Sequence, residues 1–463
     1  MRARHHPSGR RLWIAGSSLL VLAAMLIGIL VGERPAAAGG PLVVGGRFGP
    51  SGVPFTFDTS LGEVQYRTDG GGLGLLSNTT ANSRVASMFQ VWEDVPTASI
   101  GFNRAGPIMN TGAFTDGNVS TMAELNAVEG SCSAGTQSPI IYDKDGSLFE
   151  ELFGPGSGVI GFASVCELSP AGRILTSVAA LNGAFRDDLP ANDELTDNEF
   201  DAVFIHEFGH LFGMDHSQIN LNCLSSQGGC VSGSDDAFGL PTMFPFLIQN
   251  LTESPEVHPA RTLSQDDIAW VSRLYPQNFS SSFGVISGTV LFSDGVTHAQ
   301  GVNIVAREVG SPRRTTVSVV SGYLFTGNPG QSVTGTNNGS SFGSRDPLLI
   351  GTFDIPVPPG TYTVEVESVF SEFTLGSSVG PLDPPMASPG ANEFWDLGES
   401  PVDLAATSSP VSVSAGATVT SINIILNGTP PRFDQFESAG LSLPGQVLSW
   451  LGKGMAAAYR LVG

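Results

Sequence analysis

Eleven residues constrain this chain more than any other part of it: His206-Glu207-Phe208-Gly209-His210-Leu211-Phe212-Gly213-Met214-Asp215-His216, which reads H-E-x-x-H-x-x-G-x-x-H. The chain has 463 residues and seven histidines, and three of the seven fall in this run. His206 and His210 are four apart, so on a helix both imidazoles leave one face and can grip a single ion. Gly213 can take the left-handed conformation that ends a helix, and the chain can then return with His216 as a third ligand. Three imidazoles leave the fourth position of a tetrahedral zinc open to water, the layout of a catalytic site and not of a structural one. Glu207 adjoins a ligand and is placed to act as base toward that water. The bland alternative is a buried helix with incidental histidines, and five fixed positions in eleven weigh against it.

The flanking sequence supplies a frame for this helix. Thr196 and Glu199 have capping-box spacing, which starts the helix near Asp197. Upstream, Val85, Met88, Phe89 and Trp92 recur at helical spacing over Thr79 to Asp94, with Asn78 as the expected cap. Val64–Arg67, Ala98–Phe102, Ile140–Tyr142 and Val159–Val165 read as strands. Ser264 opens a helix over Leu263–Tyr275 whose acidic first turn complements the helix dipole. Asp143-Lys144-Asp145-Gly146 is an acidic turn, and Asp143 and Asp145 are candidate calcium ligands. The turn is too short for an EF-hand loop, so ordinary turn chemistry explains it equally well. The carboxylate-rich stretch from Arg186 to Asp201 reads as a solvated loop or a second cation site.

Net charge is −22, and residues 1–38 are themselves basic, so the remainder is more acidic still. Such a chain repels nucleic acid and anionic membrane surfaces. The amino terminus has the form of an export signal. Arg2, Arg4, Arg10 and Arg11 precede an apolar run from Leu12 to Val31, and Ala36-Ala37-Ala38 offers a cleavage site. An uncleaved membrane anchor is the rival reading, since the apolar run is about 20 residues long. Export makes the four cysteines, Cys132, Cys166, Cys223 and Cys230, candidates for two disulfides. Three connectivities are open; Cys132–Cys166 with Cys223–Cys230 is preferred.

Beyond residue 284 the character changes to short β-branched or alternating runs between Gly/Pro turns, including Val285–Val290, Val302–Ala306, Gly351–Ile355, Thr361–Val366 and Val419–Leu426. These predict an all-β sandwich over 284–430, with a long Gly/Ser/Asn-rich insertion near Gly327–Arg345. The expected division is a signal peptide (1–38), a zinc-binding domain (39–276), a linker (277–283), the sandwich and a tail (431–463). In the tail, Val447, Leu448, Trp450 and Leu451 fit a short amphipathic helix.

Over roughly residues 60–276 the chain resembles the metzincin zinc peptidases, and among them most the matrixins. Gly209 within H-E-x-G-H and Ser217 after the third histidine are matrixin-like choices. The resemblance implies that Met243 is the methionine of a Met-turn beneath the metal. It implies that Phe244 and Pro245 line the pocket for the substrate side chain after the scissile bond. No tyrosine follows Met243, which sets the chain apart from astacin-like and serralysin-like members. Asp143 to Ile160 resembles the family's metal-rich loop and substrate-edge strand, and Leu263 to Tyr275 its last helix. Two features depart from the family. The first cysteine is Cys132, which leaves no upstream thiol for a cysteine switch, and the catalytic segment otherwise holds only His258, too few histidines for a second, structural zinc. Residues 284 to about 370 more loosely resemble carboxypeptidase-regulatory-like sandwiches, through Gly288, Gly351, Phe353 and Pro359-Gly360-Thr361-Tyr362.

The expectation is an α+β, metzincin-type domain followed by an all-β sandwich, acting as a secreted or cell-surface zinc endopeptidase on protein or peptide substrates. One catalytic Zn2+ is expected, with Ca2+ as a candidate second metal. A substrate strand would pair with the edge near Gly158–Val165. The rival from another class is a surface adhesin with an idle zinc domain; a lost ligand or glutamate would signal it, and neither is lost.

Overall fold

A computed structural model describes residues 39–45, 49–189, 194–217, 219, 240–248, 261–325, 336–337, 346–367, 382–383, 393–427 and 459–462. The expected signal peptide, Cys223, Cys230, His258, most of the 327–345 insertion and Val447–Leu451 lie outside the described residues. The fold class is α+β, as expected.

The first sheet is built from β1 (Val64–Thr68), β2 (Phe102–Pro107), β3 (Pro139–Asp143), β4 (Val159–Ser169), β5 (Arg173–Asn182), β6 (Phe246–Ile248) and, far downstream, Tyr459–Val462. Its order is β2-β1-β3-β5-β4, then Tyr459–Val462, then β6. β1, β2, β3 and β5 run parallel, whereas β4 is antiparallel to β5. Side chains alternate between two buried layers. Ile140, Tyr142, Ile160, Ala179 and Leu181 pack with α1 (Asn78–Glu93) and the motif helix. Ile141, Val159, Val178 and Ala180 face the other way, with α2 (Met122–Ser133) and α3 (Ser147–Phe153). Burial on both faces explains why β3 and most of β5 read as apolar runs, whereas β1 alternates.

The motif helix, α4 (Asp197–Leu211), starts from a full capping box made by Thr196 and Glu199. Phe208 of α4 stacks on Phe89 of α1 with ring centroids 3.8 Å apart, and Trp92 donates its indole N–H to the Ile205 carbonyl at 2.9 Å. Ser77, not Asn78, caps α1; the Asn78 amide donates instead to the Asp69 and Gly71 carbonyls. The strand expected over Ala98–Phe102 begins only at Phe102, because Ala98 pairs singly with Pro276. A disulfide joins Cys132 at the end of α2 to Cys166 on β4, with Cα atoms 5.6 Å apart.

α5 (Gln265–Leu274) is capped by Ser264, and a helical turn, α6 (Phe279–Ser282), occupies the stretch expected as a linker. There Phe279 and Phe283 stack. Next come β7 (Gly284–Leu291), β8 (Asn303–Glu308), β9 (Thr316–Val320), the short β10 (Thr336–Asn337), β11 (Thr352–Val357) and β12 (Gly360–Glu367). β13 (Leu382–Asp383), β14 (Glu393–Phe394), β15 (Val411–Val413), β16 (Thr418–Val419) and β17 (Ile424–Ile425) follow, and Tyr459–Val462 is β18. β11, β16 and β17 gather on β7, while β14, β15 and β8 gather on β12, with β9 beyond β8. The expected strand Val419–Leu426 is thus split into two short pairings with β7.

The buried core runs without a break from the first sheet into these later strands, and α5 is the connecting element. Trp270, 1% exposed, donates to the Ser318 carbonyl on β9 at 2.8 Å, and its ring meets Tyr323 edge-on. Arg273 pairs with Asp354 on β11, which also accepts from the Tyr323 hydroxyl.

Candidate metal centre

α4 carries His206 and His210 one turn apart, and the chain turns sharply after Phe212. Gly213 sits at φ 97°, and a Cβ there would lie 2.9 Å from Ile174 Cδ1, so the turn that returns His216 calls for glycine. The three Nε2 atoms converge: His206 to His210 is 3.0 Å, His210 to His216 is 3.0 Å and His206 to His216 is 3.2 Å. Among the described residues this is the one cluster of three His, Cys, Asp or Glu groups able to hold an ion.

The opposite ring nitrogens decide what those contacts mean. His206 Nδ1 lies 2.7 Å from the Thr242 carbonyl, and His210 Nδ1 lies 2.8 Å from the Met214 carbonyl. A carbonyl only accepts, so both Nδ1 atoms carry the proton and both Nε2 atoms of the neutral rings present lone pairs. Burial holds the imidazoles neutral: His210 is pushed down to about 4, and His206 and His216 go well below their ordinary value, with mutual repulsion adding to desolvation. Two facing lone pairs at 3.0 Å are not a hydrogen bond; a cation between them removes the repulsion. Tetrahedral Zn–N bonds of about 2.0–2.1 Å set ligand nitrogens roughly 3.3 Å apart, close to the spacing here. The donor set fits zinc.

Glu207 is fully buried, and its carboxylate lies against the backbone of β4 at Gly161. A Cβ on Gly161 would sit 2.7 Å from Glu207 Oε1. Met243 packs beneath α4, where a Cβ on Gly209 would fall 2.2 Å from its Sδ. Phe244 and Pro245 are buried immediately after it.

Residues singled out less sharply by sequence hold this arrangement in place. Asp267 of α5 accepts the Thr242 and Met243 amide protons at 2.9 and 3.1 Å, so it fixes the turn whose carbonyl orients His206. Its neighbour Asp266 accepts the Ser318 amide of β9 at 2.8 Å. Ser217 donates its N–H to the Met243 carbonyl, tying the third-ligand loop to the same turn. The available signal for Gly161 was a glycine inside a strand run, which marks close approach of another group.

Other candidate residues have partners of their own. Asp143 accepts from the Gly146 and Phe149 amides at 3.1 and 2.9 Å, and Asp145 accepts from Ser147, so the acidic turn organises the start of α3. Burial, chiefly, pushes Asp143 up to about 6. In the 186–201 stretch, Asp197 pairs with Arg84 and Arg186, and Asp201 pairs with Arg84 and Arg261.

No protein-family model matches the chain, and no curated protein does. Among solved structures, the major pilin subunit BcpA of Bacillus cereus is similar at 14% identity over 32% of this chain and 31% of that one, with a TM-score of 0.16. At that score the likeness carries no argument about fold or activity.

Proposed function

We propose that the chain is an exported zinc-dependent endopeptidase of metzincin type, with an all-β sandwich behind it. His206, His210 and His216 would hold the ion, and Glu207 would be the general base. The carrying observation is the pair of anchored Nδ1 protons, which leaves two Nε2 lone pairs facing each other 3.0 Å apart. A cation between them would remove their repulsion.

A bound zinc ion would supply Lewis-acid activation of water and of the scissile carbonyl. The chain's own residues account for the rest. Glu207 takes a proton from the attacking water and returns it to the leaving amine, so one carboxylate serves both halves of the reaction. Asp267 and the Thr242 carbonyl keep His206 in the tautomer that leaves Nε2 available as a ligand. β4 passes beside Glu207, and an extended substrate would pair with its side away from β5, where β18 lies, while Phe244 and Pro245 would shape the adjoining pocket. The expected cofactor is one Zn2+, and the expected partner is a protein or peptide substrate.

The experiment is cleavage of unfolded casein by protein beginning at Gly39, with zinc content measured in parallel. Chelator and Glu207→Ala should each abolish cleavage, and Glu207→Ala should keep its zinc. Undiminished cleavage by Glu207→Ala refutes the reading.

A further inference from the structure

β18 lies far from the motif in sequence and next to it in space. It enters the first sheet between β4 and β6. On one side it runs antiparallel to β4, with Tyr459 opposite Gly161 and Arg460 opposite Val159. On the other it runs parallel to β6, with Arg460, Leu461 and Val462 opposite Phe246, Leu247 and Ile248. Gly161 is the point of β4 that touches Glu207, and β6 begins directly after Phe244-Pro245. The backbone of β18 therefore crosses the sheet at the motif glutamate, flanked by β4 and by the segment after Phe244-Pro245.

A peptide laid along β4 at Gly161 would need the same ladder positions. We propose that residues 459–462 occupy, in cis, the cleft that receives an extended peptide substrate, and that this cleft grips its ligand as a strand paired on both sides. The word substrate rests on the peptidase reading; the occupancy itself does not. Pairing through the main chain tolerates many side chains, which suits both an internal segment and an unfolded protein ligand. A tethered segment acts at an effective concentration of about 1 mM, so even a weak strand raises the apparent KM for peptide by roughly 2- to 10-fold.

Three proteins starting at Gly39 test this: the chain through Gly463, a chain ending at Ala458, and the full chain with Arg460→Pro and Leu461→Pro, which keeps its length but loses ladder donors. Cleavage of a short quenched peptide is measured for each. In the Glu207→Ala background, binding of a labelled synthetic peptide spanning 455–463 is followed by fluorescence anisotropy. The expected result is a lower KM for the shortened and the proline chains, with labelled peptide binding them at least about threefold more tightly than the full chain. Equal KM values and equal peptide binding in all three overturn the occupancy while leaving the peptidase reading intact. Absent cleavage in all three, with labelled peptide excluded only by the full chain, leaves the occupancy standing and removes the peptidase reading.

Discussion

Replacing Gly161 by alanine probes the contact between β4 and Glu207 with a single methyl group. An ideal Cβ there lies 2.7 Å from Glu207 Oε1, 2.8 Å from Cγ and 3.0 Å from Cδ. Ordinary contacts begin near 3.4 Å, so the side chain must retreat by about 0.7 Å, and a rotation of the carboxylate alone does not free Cγ. Glu207 is fully buried, so it cannot retreat into solvent. A displacement near 1 Å of a reacting group costs about 100-fold in rate, equivalent to about 2.7 kcal/mol at the transition state. Overpacking adds roughly 1–3 kcal/mol of lost folding stability. The three atoms nearest the new Cβ all belong to Glu207 and none to a histidine, so metal content should be unchanged. Steady-state cleavage of a quenched peptide, with metal analysis and urea unfolding on the same sample, separates these effects. A Gly161→Ala protein with unchanged kcat would refute the placement of Glu207 against β4, and one that loses zinc would show that the damage reaches the ligands.

Trp270→Ala removes a fully packed indole from the seam between α5 and β9 and should cost about 3–5 kcal/mol in urea unfolding. Trp270→Phe should cost only about 1 kcal/mol, the value of the bond to Ser318. By the same reasoning a chain ending at residue 283 should lose activity toward even short peptides, measured against the full chain at equal zinc content. Asp266 predicts a pH effect. Burial, reinforced by Asp267, pushes it up to about 8 from an ordinary 3.8, so between those values the folded protein holds a proton that the unfolded chain lacks. Its contribution to stability is complete below about 4 and is lost as pH rises through about 8. The wild-type melting temperature should therefore fall relative to Asp266→Asn between pH 5 and pH 8, and parallel curves would contradict this.

The histidine cluster was legible because its geometry is local: the spacing of His206 and His210, the turn at Gly213 and the Thr196–Glu199 cap all lie within about two dozen residues. What escaped the sequence depends on distant partners. Asp266 and Asp267 read as a first turn favourable to the helix dipole, yet their oxygens bind amides 24 to 52 residues away. β5 follows a Ser169-Pro170-Ala171-Gly172 turn and α2 opens on a Thr121–Glu124 capping box, so both elements also carry a local signal. Asn78 was the expected cap of α1, but its amide answers two carbonyls in the preceding loop and Ser77 takes the role. The Ser-rich stretch after Pro276 has a linker's composition, and the contacts that give it structure include the stacking of Phe279 on Phe283, the Arg273 guanidinium over Phe279 and the Gln277 amide bond to the Thr97 carbonyl.

The bond from Ser318 to Asp266 also sets a timetable for synthesis. The three histidines and the Met243 turn leave the ribosome long before β9, which begins at Thr316. At ordinary elongation rates of about 5–20 residues per second, the interval from His216 to Ser318 lasts roughly 5–20 s. During it, Trp270 has no β9 to cover it and Asp266 has no amide to hold. The Met243 turn beside the histidine cluster therefore lacks this outer brace until β9 has been made. The turn that orients His206 is thus braced by a helix whose own far contact, the Ser318 amide on Asp266, forms only after about a hundred further residues have been made.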